Sequence, residues 1–158
     1  MVHKKIRPGI AELAPYIIES LNEGKAVKLM VTGNSMLPLF RDNKDAVIIE
    51  KTDLFKKYDI VFYKRPNGQY VLHRIVSVCD GSFAFAGDNE TVKEKGISPS
   101  DCIAKVTSFQ RSGETFKTGV LWHVLYCRIW VWLFPARRIL GKVLRISAKT
   151  LHKFIFKS

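Results

Sequence analysis

Residues 29–49 read Leu29-Met-Val-Thr-Gly33-Asn-Ser35-Met-Leu-Pro38-Leu-Phe-Arg-Asp-Asn-Lys-Asp45-Ala-Val-Ile-Ile49. An apolar run enters Gly33, a serine follows two residues later, and Pro38 removes a backbone donor that continued strand pairing would use. After a short polar loop, Asp45 leads into a second apolar run. The pattern is strand, turn, strand, with Ser35 just past a strand end. There a rigid element carries the residue while its hydroxyl projects into open space and its N–H can face an oxyanion. Taken alone, Gly33-x-Ser35 is also an ordinary turn, since it lacks the second glycine of a hydrolase nucleophile elbow.

The segments on either side set this stretch in a mainly β fold. Ile10, Leu13, Ala14, Ile17, Ile18 and Leu21 recur at steps of three and four, which predicts a short helix stopped near Gly24. Val27–Thr32, Ala46–Glu50, Asp59–Tyr63, Tyr70–Val78, Ser82–Ala86 and Cys102–Phe109 then read as short strands separated by turn residues. Pro66-Asn67-Gly68 is a tight hairpin signal. The expectation is a compact antiparallel β domain over residues 27–114, preceded by an N-terminal helical segment (1–26) and followed by a separate C-terminal segment (115–158).

Charge marks out that last segment. Of the formal net charge of +12, residues 119–158 contribute eight Lys/Arg and no acid, whereas residues 1–118 carry 18 Lys/Arg against 14 Asp/Glu. Val120 to Phe134 is almost wholly apolar and holds Trp122, Trp130 and Trp132, but fifteen residues interrupted by Arg128 are short for a span. Beyond Pro135, Ile139, Leu140, Val143, Leu144, Ala148, Leu151 and Ile155 form one helical stripe, and Arg138, Lys142, Arg145, Lys149 and Lys153 the opposite one. A basic amphipathic helix after an aromatic segment is expected to lie on a membrane surface. Packing on the β domain or on a partner protein is the alternative. Nucleic acid is not an expected partner, because DNA contact would leave the apolar stripe exposed. Nor does a continuous apolar run follow the basic N-terminus, so no secretory signal or N-terminal anchor is expected. Cys79, Cys102 and Cys127 have no CxxC spacing, which disfavours disulfides and a zinc site and fits a reducing compartment. No metal and no cofactor are expected.

Four motifs then follow the serine in order. Gly33-x-Ser35-Met36-x-Pro38 with Asp45-x-Val47-Ile48 resembles the nucleophile region of signal peptidase I and of the related self-cleaving repressor peptidases. Tyr58-Asp-Ile-Val-Phe-Tyr63 is similar to the strand those enzymes place next. Val71-Leu-His73-Arg74-Ile-Val76 looks like their general-base strand, and Phe85-Ala-Gly87-Asp88-Asn89 like their Gly-Asp-Asn box. Ile103-Ala-Lys-Val106 matches the closing strand, so the resemblance covers roughly residues 27–109.

The resemblance implies a serine peptidase with Ser35 as nucleophile and His73 as general base. Most bacterial members carry lysine where this chain has His73; the endoplasmic-reticulum-type enzymes carry histidine. A base must be largely unprotonated near neutral pH, and histidine meets that condition without the deep burial that lysine needs. Lys64 is a competing base at the hairpin edge. Asp88 is the carried-over carboxylate to orient His73, with Asp101 weaker; the further acidic cluster that endoplasmic-reticulum-type enzymes have after the box is not clearly reproduced. Gly33, Asn34 and the Ser35 N–H would supply the oxyanion hole, and Arg74 would support the site. The expected substrate is a peptide or preprotein leader, and the expected location is peripheral, on the cytoplasmic face of a membrane. Two other readings stay open. One is a non-catalytic peptide-binding relative, and the other a self-cleaving repressor-type peptidase, for which one short helix supplies no helix-turn-helix.

Overall fold

The computed structural model describes residues 9–136. The basic stripe expected over 138–155 and the N-terminal residues 1–8 lie outside those described. Helix α1 (Ile10–Asn22) presents Ala14, Ile17 and Leu21 to the core, while Ile10 and Leu13 at its start stay partly exposed. Eight strands follow: β1 (Val27–Met30), β2 (Ala46–Lys51), β3 (Ile60–Lys64), β4 (Tyr70–Cys79), β5 (Ser82–Ala86), β6 (Glu94–Ile97), β7 (Cys102–Arg111) and β8 (Glu114–Lys117). Helix α2 (Leu121–Trp132) ends the set.

The strands form one antiparallel sheet in the order β1-β2-β7-β3-β4-β5-β6, with β8 also paired to β7. All six expected strands are present within one or two residues of their expected ends. The Pro66-Asn67-Gly68 hairpin joins β3 to β4, closed by Gly68 N–H donating to Arg65 O at 2.9 Å. Strand β7 is the spine: β2 runs along one edge over 104–110, and β3 and β8 share the other. Register shifts at Ile48/Ile49, Phe62/Tyr63 and Ile75/Ser77 bend the sheet, as an extra residue in one strand of a pair does.

Two of the strands were not legible in the sequence. β6 reads Glu-Lys-Gly-Ile and has no apolar alternation, and β8 lies across the boundary expected at residue 114. The main core gathers Ile17 and Leu21 of α1, Met36, Leu39 and Phe40 of the serine loop, and Val47, Ile49, Phe62, Val106 and Phe109 of the sheet. A second cluster packs Tyr63, Ile75, Phe83 and Phe85, with the Tyr63 and Phe85 rings stacked 4.1 Å apart. No disulfide joins the three cysteines.

The apolar stretch 120–134 does two things. Its inner face packs on the β domain: His123, Cys127 and Phe134 are buried, the last beside Val76, Ala84 and Ala86. Its outer face leaves Leu121, Leu125, Ile129 and Trp132 exposed. Among the described residues no helix is long and apolar enough to cross a membrane.

Candidate active site

The loop between β1 and β2 is built to hold Ser35 at the surface over a packed base. Met36, Leu39 and Phe40 are buried beneath it, and Ser35 remains partly exposed. The loop is closed by Val31 N–H donating to Asp45 O (3.0 Å) and Asn43 N–H donating to Val31 O (2.9 Å). Asp45 is fully buried and accepts from Arg41 Nη2 (2.7 Å), the Arg41 N–H (2.9 Å) and Arg111 Nη2 (3.0 Å). Burial alone would raise the Asp45 carboxyl; the two guanidinium groups outweigh it and hold the pKa at about 2. Arg111 also donates to Leu39 O, tying the loop to β7.

Gly33 adopts φ +84°, a left-handed conformation that favours glycine. Its N–H donates to Asp42 Oδ1 at 2.8 Å, which takes it away from the oxyanion role expected of it. Asn34 is exposed, and its carbonyl accepts from Leu37 N–H. Among the described residues, neither the Ser35 N–H nor its hydroxyl has a hydrogen-bond partner.

His73 lies on β4, opposite Val61 of β3, and is 3% exposed. It shares with Ser35 a cavity of about 140 Å³ whose other walls are largely apolar, from Leu29 and Val31 to Phe62 and Leu72. His73 Nδ1 is 3.1 Å from Glu94 Oε1. Nε2 is 3.6 Å from Glu90 Oε1, beyond hydrogen-bond length. Glu94 is itself fixed: Arg65 donates to Oε1 (2.5 Å) and Oε2 (2.7 Å), and Tyr63 Oη donates to Oε2 (3.0 Å). Burial would push the Glu94 carboxyl up; the bonds from Arg65, the nearby His73 and the Tyr63 bond together hold it below the usual range. Ser35 and His73 thus share one cavity, and Glu94 is the carboxylate on His73 Nδ1. A carboxylate at one imidazole nitrogen favours the tautomer that carries its proton there.

Residues 9–107 match the family described as Peptidase S24-like. The chain belongs to that family. Ser35, His73 and Glu94 all fall in the matched region, which accounts for a serine-peptidase-type fold; α2 lies beyond it. No curated protein matches the chain.

Within this Peptidase S24-like domain Asp88 is not the carboxylate on His73. Both its oxygens accept from Arg74, at 2.8 Å from Nε and 2.7 Å from Nη2. The reason is strand geometry: His73 and Arg74 are consecutive on β4 and so face opposite sides of the sheet. Arg74 is fully buried, and its charge is held by Asp88 against the cost of desolvation. Tyr126 Oη donates to Asp88 Oδ2 (3.1 Å), and Trp130 Nε1 to the Asp88 carbonyl (2.9 Å). The Gly-Asp-Asn box instead braces the serine loop. Asn89 N–H donates to Ser35 O at 2.7 Å, and a Cβ on Gly87 would stand 2.5 Å from that same oxygen. Only glycine fits there.

Asp101 accepts from Ser98 N–H in a capping box at the turn before β7, a structural role. Lys64 is exposed, its Nζ 5.7 Å over the Tyr70 ring. Glu90 and Glu94 are the residues that sequence reasoning passed over, although they follow Asp88 by two and six positions. His73, Glu90 and Glu94 each offer a ligand atom within 4.8 Å of the others, a set that could hold a metal ion. The Arg65 guanidinium already on both oxygens of Glu94 opposes a second cation.

Proposed function

We propose that this protein is a serine endopeptidase of the Ser–His branch, resembling the endoplasmic-reticulum-type signal peptidases, that cuts a peptide or preprotein leader. The observation that carries this reading is the Ser35–His73 pair on one cavity, with Nδ1 of His73 held by Glu94. Ser35 Oγ attacks the scissile carbonyl carbon as its proton passes to His73 Nε2. The carbonyl oxygen gains the negative charge and faces the Ser35 N–H. His73 then gives that proton to the leaving amine as the C–N bond breaks. Water, deprotonated in turn by His73, hydrolyses the acyl-enzyme and restores Ser35. Strand β1 is a sheet edge beside the cavity, so an extended substrate can add to it through main-chain hydrogen bonds.

A fluorophosphonate probe followed by peptide mapping tests the reading. Labelling of Ser35, lost in Ser35→Ala and His73→Ala but kept in Lys64→Ala, is the expected result. A folded protein with no label at Ser35 would favour a peptide-binding relative. One observation favours self-cleavage as a second reading: Ile10 at the start of α1 lines the same cavity, so the chain enters α1 beside the serine. Cleavage at a rate independent of protein concentration would support it.

The same proposal places the protein peripherally on an anionic membrane through residues 115–158. Leu121, Leu125, Ile129 and Trp132 form an exposed apolar stripe on α2. Beside it Lys56, Lys57 and Arg128 border a cavity of about 630 Å³. Co-sedimentation with phosphatidylglycerol vesicles but not phosphatidylcholine vesicles is expected, weakened in Leu125→Ser and Trp132→Ser. Equal binding by both variants would remove α2 from the contact.

A further inference from the structure

Helix α2 lies outside the matched region, yet it grips the box that holds the serine. Tyr126 binds Asp88 by its side chain and Trp130 binds it by its carbonyl. The two rings stack 5.5 Å apart, so they act as one unit. The residues on either side of Asp88 are the ones against the nucleophile: Asn89 N–H donates to Ser35 O, and Gly87 packs on that oxygen. Glu90 accepts from Gly87 N–H at 3.1 Å and stands 3.6 Å from His73 Nε2. A displacement of Asp88 therefore reaches Ser35 through one residue and the His73 side of the cavity through two.

We propose that α2 is a positioning element of the active site, with Tyr126 and Trp130 holding Asp88, and through it the Ser35 carbonyl, in register with His73. This rests on the peptidase reading above. The Ser35 backbone fixes both the nucleophilic oxygen and the N–H that meets the oxyanion. A misplacement of about 1 Å at such a point costs on the order of 100-fold in rate. Tyr126 and Trp130 touch no reacting atom, so their effect belongs in kcat rather than in KM.

The test uses the full chain with Tyr126→Phe, Trp130→Phe and the double variant, which keep an aromatic ring at each position and remove the two donors. Three quantities are read: the rate of fluorophosphonate labelling at Ser35, kcat and KM on a cleaved peptide, and hydrogen exchange at the Asn89 amide. In the double variant labelling and kcat are expected to fall about 10- to 100-fold with KM within about twofold. Asn89 exchange should accelerate at least about tenfold, and working at the same distance below the melting temperature should not restore the rate. Trp122→Phe, whose ring packs on Phe109 and Phe116 instead, should change the melting temperature alone. Wild-type labelling and unchanged Asn89 exchange in a folded double variant would overturn the proposal. If the wild-type protein takes no label, the peptidase reading fails on its own, and Asn89 exchange still decides whether α2 holds the box.

Discussion

His73 Nδ1 and Glu94 Oε1 lie 3.1 Å apart although 21 residues separate them in the chain. Pairing of β6 with β5 carries Glu94 to His73, and Arg65 and Tyr63 keep it there.

Glu94→Gln keeps the shape and removes the charge. Without the carboxylate the imidazole loses its fixed tautomer and the partner of its protonated form, so kcat is expected to fall about 10²- to 10⁴-fold with a small change in melting temperature. Asp88→Asn should act mainly on stability, with a kcat loss no larger than the roughly 10- to 100-fold expected when Tyr126 and Trp130 release Asp88. It leaves a buried Arg74 uncompensated, at a cost of about 3 kcal/mol or more in stability. Kinetics and urea unfolding on both variants check the assignment. A larger kcat loss in a fully folded Asp88→Asn than in Glu94→Gln would return the orienting role to Asp88.

Gly87→Ala places a methyl group 2.5 Å from the Ser35 carbonyl oxygen, a backbone atom that cannot rotate aside. The loop must move, breaking the Asn89–Ser35 hydrogen bond. Labelling of Ser35 is expected to drop at least about 100-fold. A labelling rate near that of the wild type would mean that the box does not position the serine.

Burial and the neighbouring Arg74 charge hold His123 at about 4, from an ordinary 6.5, although Asp88 pulls the other way. Its other close neighbours are Cys127 Sγ (3.6 Å) and the Gly119 N–H (3.5 Å). Between pH 6.5 and 4 the unfolded chain binds a proton here that the native state does not. Stability is therefore fully present above that window and falls as pH drops through it. At about 1.4 kcal/mol per pH unit, the contribution is at most about 3.5 kcal/mol. Urea unfolding at pH 7.5 and 4.5 should show a smaller loss in His123→Gln than in the wild type; equal losses would contradict the assignment.

Asp45→Asn strips the charge from a buried carboxylate that gathers Arg41 and Arg111. A loss of about 3 kcal/mol is expected, together with reduced labelling of Ser35, because the same contacts close the serine loop. The wild-type Asp45 contribution is present above the ordinary carboxylate range and is lost as pH falls toward about 2. Unfolding measured from pH 5 to pH 2 checks the sign: the wild type should lose stability more steeply than the variant.

The strands, the hairpin, α1 and the positions of Ser35 and His73 were legible because each rests on local information: apolar alternation, turn residues, and an ordered set of motifs. β6 was not, because Glu-Lys-Gly-Ile has neither period nor β-branched content and becomes a strand only by pairing with β5. With β6 went Glu94. The inner face of α2 was hidden for a related reason. A segment apolar on every side does not reveal which side is covered, and only docking turned His123, Tyr126 and Cys127 inward while leaving Leu125 and Trp132 outside.

The sequence by itself determined a mainly antiparallel β domain with a serine past the first strand and a histidine on the fourth. What only the tertiary structure decided was which carboxylate each neighbour on β4 receives. Consecutive strand residues face opposite sides of the sheet, so Glu94 meets His73 on one side while Asp88 meets Arg74 on the other. A linear order of motifs carries no information about sides.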